Sequence, residues 1–185
     1  MSYIDDLLKA YSRFAQIPWD QTVAGPQRVW MVVYPPEQER RLRMRIGEFE
    51  IATHVAGHGW QLIDLTDSFG RWLGEHDYRE AYFESPSDLS LALDDFAEHL
   101  ADEVSTGLRA EDAGDADDAT VVALMGLASL FGVARASRLI EAVNSDIRGR
   151  LLAFFPGELE GTNYRLLGAR DGWNYLAIPI TASEG

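Results

Sequence analysis

Five short apolar segments recur along the chain and predict the strands of one sheet. Each is a nearly continuous hydrophobic run next to a proline or glycine turn signal, and such runs are typical of strands buried on both faces. Residues 29–34 end at Pro35, and residues 120–125 end at Gly126. The five predicted strands are 29–34, 60–65, 120–125, 151–155 and 175–178.

Helical periodicity appears between these strands. Apolar residues from Ile4 to Phe14 repeat at helical spacing and predict an N-terminal helix over 2–15, with Ser2 as its N-cap. The same spacing predicts helices over 89–108 and 133–143. The chain should therefore alternate between strands and helices.

The segment 36–56 gives two conflicting signals. Leu42, Met44 and Ile46 alternate with arginines, as in a strand, whereas Pro36 followed by an acidic residue is typical of a helix start. We predict a helix over 36–56, because two parallel strands need a crossover of about this length.

Together these elements predict an α/β fold with a three-layer architecture: a mainly parallel sheet of about five strands with helices on both faces. The 185 residues fit one domain, spanning 1–185. The acidic segment 110–119 is predicted to be a solvated loop before the third strand, with a docking site as the alternative.

Composition narrows the classes of function. The chain has no cysteine, which excludes disulfides and thiolate metal sites. Its net charge of −14 disfavours direct binding to DNA or to anionic membranes. The acidic N-terminus lacks the pattern of a signal peptide and no segment is apolar enough to span a membrane, so we expect a cytoplasmic protein.

The turn at 126–132 is the place where a nucleotide site would be expected, since ligands gather at the carboxyl ends of parallel strands. Its glycine spacing fits neither the P-loop nor the dinucleotide fingerprint, and Val133 stands where a P-loop has lysine. The favoured interpretation is a tight strand-to-helix turn with its apolar residues folded inward, and an anion site is the alternative.

No catalytic or metal-binding pattern stands out elsewhere. His54 and His58 have helical spacing but no third ligand nearby in sequence, and Asp67 is best explained as a helix N-cap. We therefore expect no enzyme activity, no cofactor and no metal. Aromatic and polar residues at the predicted strand ends remain as recognition candidates: Tyr34, Ser129, Phe131, Arg135, Arg138, Phe155 and Tyr175.

Several short motifs, in the same order over about residues 29–180, resemble the BrxB proteins of BREX bacteriophage-exclusion systems. They are Tyr34-Pro35-Pro36, Leu124-Met125-Gly126 leading through Phe131 to Arg135 and Ser137, Phe154-Phe155-Pro156-Gly157, and Asn174-Tyr175-Leu176-Ala177-Ile178. Two positions depart from the family pattern: Gly132-Val133-Ala134 precedes Arg135 in place of an aromatic and a proline, and Leu176 replaces an arginine.

The resemblance implies a small cytoplasmic component of a phage-defence system that works beside a methyltransferase, a large ATPase and a PglZ-type protein. We accordingly expect a non-catalytic adaptor or regulatory component that acts by protein contact with another BREX component, a PglZ-like protein being the first choice. The alternative is a degenerate nucleotide-binding domain, P-loop-like or Rossmann-like, that senses a phosphorylated ligand.

Overall fold

The computed structural model describes residues 2–109, 119–170 and 172–182, and over these it is a mixed α/β protein with a mostly parallel sheet. Of the predicted acidic loop 110–119, residues 110–118 lie outside the described residues. The strands are β1 (Val29–Tyr34), β2 (Gly59–Asp64), β3 (Thr120–Met125), β4 (Arg150–Glu160), β5 (Asn163–Leu166), β6 (Trp173–Asn174) and β7 (Ile178–Ile180). The helices are α1 (Tyr3–Ala15), α2 (Glu39–Met44), α3 (Ile46–Val55), α4 (Ser68–Glu75), α5 (Arg79–Glu84), α6 (Leu93–Arg109) and α7 (Ala136–Val143).

The parallel part of the sheet has the strand order β2-β3-β4-β1-β7. The second half of β4 pairs antiparallel with β5, and β5 pairs antiparallel with β6. The described sheet thus has seven strands, and the prediction of a three-layer arrangement of about five strands is wrong in that respect. The additional strands extend the sheet beyond its parallel part.

The difference begins at Pro156 and Gly157, which the sequence pattern placed at the end of the fourth strand. β1 pairs with β4 as far as Pro156, and from Gly157 onward β4 pairs with β5 instead. A proline has no N–H to donate to a neighbouring strand. Pro156 lies at the point where the partner of β4 changes from β1 to β5. The strand therefore continues through a residue that normally ends one.

The end of the chain also differs from the prediction. Residues 175–177 are not in a strand, and β7 begins at Ile178 with Pro179 inside it. Because β7 pairs only with β1, it is an edge strand, where a missing N–H costs little.

Side chains alternate between two hydrophobic clusters along the central strands, as the pleat of a strand requires. Val29, Met31 and Val33 of β1 belong to a cluster that includes residues of α6 and α7. Trp30, Val32 and Tyr34 belong to a second cluster with residues of α1 and α3. β1 and β3 are buried at every position, which confirms for these two strands that a continuous apolar run is covered on both faces. The prediction is wrong for β2, an edge strand whose residues are partly buried or exposed.

The helices mostly begin later or break earlier than predicted. The helix expected over 36–56 is a 3-10 turn followed by α2 and α3, which are separated at Arg45. The helix expected from 133 starts at Ala136, because Gly132 has a φ of +84° and Arg135 is extended.

Among the described residues, no helix combines the length and the hydrophobicity that crossing a bilayer requires.

Ser2 is the N-cap of α1, as predicted, and it forms a capping box with Asp5. The Ser2 hydroxyl accepts a hydrogen bond from the Asp5 N–H, and the Asp5 carboxylate accepts from the Ser2 N–H at 2.7 Å and from Arg45 at 2.6 Å. These bonds, the Ser2 backbone N–H first among them, lower the pKa of Asp5 from 3.8 to about 2.

This lowered pKa makes the contribution of Asp5 pH-dependent. A carboxyl group whose pKa is lower in the folded state stabilises the fold above its unfolded pKa of 3.8, and the stabilisation is lost as the pH falls toward about 2. Asp5→Asn should therefore lower the melting temperature at about pH 7, and this difference should shrink between about pH 4 and about pH 2. Asp6→Asn removes the same charge without the Ser2 hydrogen bonds and is the control; a deficit of Asp5→Asn that is constant with pH would contradict the linkage.

Candidate functional site

The loop between β3 and α7 combines a fixed backbone with an exposed aromatic residue. Gly126 has a φ of +89° and is followed by a 3-10 turn over Leu127–Leu130. Leu127 and Leu130 are fully buried, as the interpretation of an inward-folded turn predicted. Phe131 differs from that interpretation, because 53% of its side chain is exposed. The loop therefore presents Phe131 on a support anchored in the core.

The second half of this loop forms one wall of a cavity of about 320 Å³. Phe131, Arg135 and Ser137 line this wall, and Phe155, near the end of the parallel part of β4, also lines the cavity. We call this space the Phe131 cavity. The cavity lies at the carboxyl ends of β3 and of the parallel part of β4, where open α/β sheets usually bind ligands.

A second wall of the cavity comes from the β4–β6 extension, which contributes Tyr164 and Trp173. Tyr164 and Trp173 stand opposite each other in the β5–β6 pair, with their rings 6.1 Å apart. Tyr164 also contacts Phe155 edge to face at 5.7 Å, and its hydroxyl donates to the carbonyl of Ala177. Burial raises the pKa of Tyr164 to about 12, so the hydroxyl stays protonated at neutral pH.

The indole of Trp173 is held in place on two sides. Its Nε1–H donates to Glu141 of α7 at 2.8 Å, and its ring stacks on Tyr175 with centroids 4.3 Å apart. The first contact joins the two walls of the cavity, since Trp173 and Glu141 come from different elements. Tyr175 does not itself line the cavity; it supports the residue that does.

The cavity is cationic although the protein is acidic. Arg135 and Arg170 both line it, and no acidic residue is among its described lining residues. Among the described residues, no side-chain hydrogen bond or ion pair is formed by the guanidinium group of either arginine. In a protein with 30 acidic and 16 basic residues, two arginines with unpaired side chains that line one cavity are suited to hold an anion.

Three of the predicted recognition residues meet at this cavity, namely Phe131, Arg135 and Phe155. Arg138 is directed to α6, where it forms an ion pair with Asp94 at 2.7 Å. Ser129 lies in the 3-10 turn and does not line the cavity. Tyr34 is buried in the other hydrophobic cluster, on the opposite face of the sheet.

Tyr34 belongs to a polar network at the carboxyl ends of β1 and β2. Its hydroxyl donates to Glu39, and burial, reinforced by Glu39, raises the pKa of Tyr34. Arg43 bonds to Glu39 at 2.7 Å and to Thr66 at 2.7 Å. This network ties the first turn of α2 to the loop after β2 and presents no group to the Phe131 cavity.

The Gly126 turn, for which the sequence left an anion site as the alternative interpretation, is filled by protein. A Cβ at Gly126 would lie 2.6 Å from the backbone nitrogen of Thr66 and 3.0 Å from a carboxylate oxygen of Asp64. Burial acts to raise the pKa of Asp64, but hydrogen bonds from Thr66 and the charge of Arg43 leave it below its ordinary value. An ionised carboxylate at this turn disfavours a phosphate there.

Three residues of the cavity were missed by sequence reasoning: Tyr164, Arg170 and Trp173. A hairpin signal was present, since Gly161 follows a segment that alternates charged and apolar residues from Glu158 to Glu160. That signal could have predicted the β4–β5 turn and with it the position of Tyr164. Arg170 carries no pattern that distinguishes it from other surface arginines.

The histidines take part in other contacts. His58 stacks on Trp19 with centroids 3.7 Å apart, and His54 lies 3.7 Å from Glu50. Over residues 2–109, 119–170 and 172–182, no group of three or more histidine, aspartate or glutamate residues is arranged to hold a metal ion.

Comparisons with known proteins found no relative. No family model matches the chain, and no curated protein or solved structure matches it. Support for a function comes from the residues of the chain itself.

Proposed function

We propose that this protein is a non-catalytic recognition component of a BREX-type phage-defence system. It acts in the cytoplasm as an adaptor or regulatory subunit, by contact with another component of the system, and a PglZ-like protein is the partner we propose. The observation that carries the proposal is the surface around the Phe131 cavity, where Phe131, Arg135 and Trp173 occur together.

These residue types suit a protein interface. Tryptophan, tyrosine and arginine dominate the binding energy of protein–protein contacts, most of all where they surround a pocket. Phe131 is an exposed aromatic side chain on a loop held by the buried residues Leu127 and Leu130. A partner that covers it incurs little ordering cost, because the loop backbone is already fixed.

Charge supports a protein partner over nucleic acid. The net charge of −14 repels duplex DNA, whereas a partner with a basic surface would be steered toward the protein. Within such an interface, Arg135 and Arg170 are suited to receive a carboxylate of the partner.

The proposal predicts that Phe131→Ala combined with Arg135→Ala weakens partner binding without unfolding the protein. Both residues are exposed, so the melting temperature should stay nearly unchanged. If they form a hot spot worth about 2 kcal/mol, affinity for the PglZ-like protein falls by about 30-fold. The measurements are a binding titration of the two purified proteins and a phage plaque assay in cells that carry the system.

Arg138→Ala is the matched control, because this exposed arginine pairs with Asp94 outside the cavity. It should leave partner binding and protection unchanged. Full binding by the Phe131→Ala/Arg135→Ala variant would show that the cavity is not part of the interface. Tight binding to duplex DNA, with no affinity for any protein of the system, would contradict the adaptor function itself.

A second candidate function is the sensing of a phosphorylated ligand by a degenerate nucleotide-binding domain. The unpaired arginines beside aromatic side chains favour it. The candidate site for the phosphate is therefore the Phe131 cavity. The Gly126 turn is not a candidate, because Thr66 and Asp64 fill the space beside it.

A further inference from the structure

The Phe131 cavity has the size of a small-molecule site. Its volume of about 320 Å³ lies within the range of roughly 300–1,000 Å³ that such sites occupy. It is bounded by two separate parts of the chain, the loop before α7 and the β4–β6 extension, which the Trp173–Glu141 hydrogen bond joins. This hydrogen bond therefore holds the two parts of the chain that line the cavity in a fixed relation.

The cationic part of the cavity matches a phosphate. Arg135 and Arg170 carry planar guanidinium groups, which bind phosphate through pairs of hydrogen bonds. Neither guanidinium group forms a hydrogen bond or an ion pair with a described residue. Ser137 adds a hydroxyl on the same wall. No side chain caps α7, whose first amides follow Arg135, so these amides favour an anion as well.

The aromatic part matches a flat ring. Trp173 is fixed by Glu141 and Tyr175, so its indole offers a rigid surface, and Phe131 stands at the other wall with more than half of its side chain exposed. Any nucleobase can stack on such side chains, because every base has a π-face.

We propose that the Phe131 cavity binds a small molecule in which a phosphate is joined to a planar ring, the chemistry of a nucleoside monophosphate. Arg135 and Arg170 hold the phosphate, and Trp173 and Phe131 hold the ring. The inference deepens the second candidate function above and rests on it; it does not require that the adaptor function be correct.

The test is calorimetric titration of the isolated protein with 5′-AMP and 5′-GMP, and separately with adenosine and with inorganic phosphate. At a salt concentration of about 0.1 M, a monophosphate should bind with a Kd below about 1 mM. Adenosine and phosphate alone should each bind at least about tenfold more weakly, because each contacts only one half of the cavity. No partner protein is present, so failure here is separate from failure of the adaptor function.

Variants identify the residues. Arg135→Gln and Arg170→Gln should each weaken binding by about tenfold, while Arg138→Gln, which removes the same charge from α7, should not. Phe131→Leu should weaken binding too, and its exposed position keeps this variant folded. Absence of binding to either monophosphate up to about 5 mM would overturn the inference. Equal affinity of the parent, Arg135→Gln and Arg170→Gln for a monophosphate would also overturn it. So would a protein that binds an acidic peptide but neither monophosphate.

Discussion

Replacing Gly157 with alanine is expected to separate β5 from β4 and to destabilise the protein strongly. A Cβ at this position would lie 2.1 Å from the carbonyl oxygen of Arg165 and 3.0 Å from its carbonyl carbon. Both atoms belong to the backbone of the paired strand, so no side-chain rotation can relieve the contact. The free energy of unfolding should fall by about 3 kcal/mol or more.

Urea denaturation measures this loss, and Gly168→Ala is its control. Gly168 follows β5 and has no left-handed φ, and a Cβ added there would meet no atom within 4 Å. The same substitution at Gly168 should therefore change stability by less than about 0.5 kcal/mol. Parent-like stability of Gly157→Ala would show that β4 and β5 do not pair as closely as described.

The same substitution connects the fold to the proposed site. Tyr164 and Trp173 reach the Phe131 cavity only because β5 and β6 pair alongside β4. Gly157→Ala should therefore also remove monophosphate binding, whereas Gly168→Ala retains it. Arg135 and Phe131, which lie on the other wall, remain present in both variants.

The sequence pattern was most informative where a strand is buried on both sides. β1 and β3 were predicted with the bounds that the structure has, because an uninterrupted apolar run is followed directly by Pro35 or Gly126. The end of β4 could not be predicted in this way. Whether Pro156 ends a strand depends on where the neighbouring β1 ends, and pairing is not visible in a single segment.

The candidate site was predicted only in part for a related reason. Tyr34 and Phe155 both end apolar runs, but Tyr34 is aligned with Pro156, so Phe155 lies level with Val33 and faces the opposite side of the sheet from Tyr34. The face of the sheet on which Phe155 lies depends on the register between β1 and β4, which neither segment shows by itself. Arg170 joins Arg135 through the β4–β6 extension, a contact between residues far apart in the chain that no periodicity indicates.

Arg150 is a buried cation whose removal should have the second large effect on stability. Only 4% of it is exposed, and it donates hydrogen bonds to the carbonyls of Gly149 at 2.9 Å and Asp20 at 2.8 Å. Its guanidinium also lies over the ring of Trp19 at 4.9 Å and near that of Trp30 at 6.0 Å. Burial, followed by the charge of Arg28, lowers its pKa, but an arginine remains protonated throughout the neutral range.

Arg150→Ala should lower the free energy of unfolding by about 3 kcal/mol, since it leaves two carbonyls without their donor and a void beside two indoles. Arg150→Lys keeps the charge but has no planar fork to reach both carbonyls, so it should recover only part of this loss. The measurement is urea denaturation followed by tryptophan fluorescence, with Arg13→Ala, at an exposed position of α1, as the control expected to change stability by less than about 0.5 kcal/mol. If Arg150→Lys were as stable as the parent, charge alone would account for the role of Arg150, and the hydrogen bond to Asp20 that joins β4 to the segment before β1 would not.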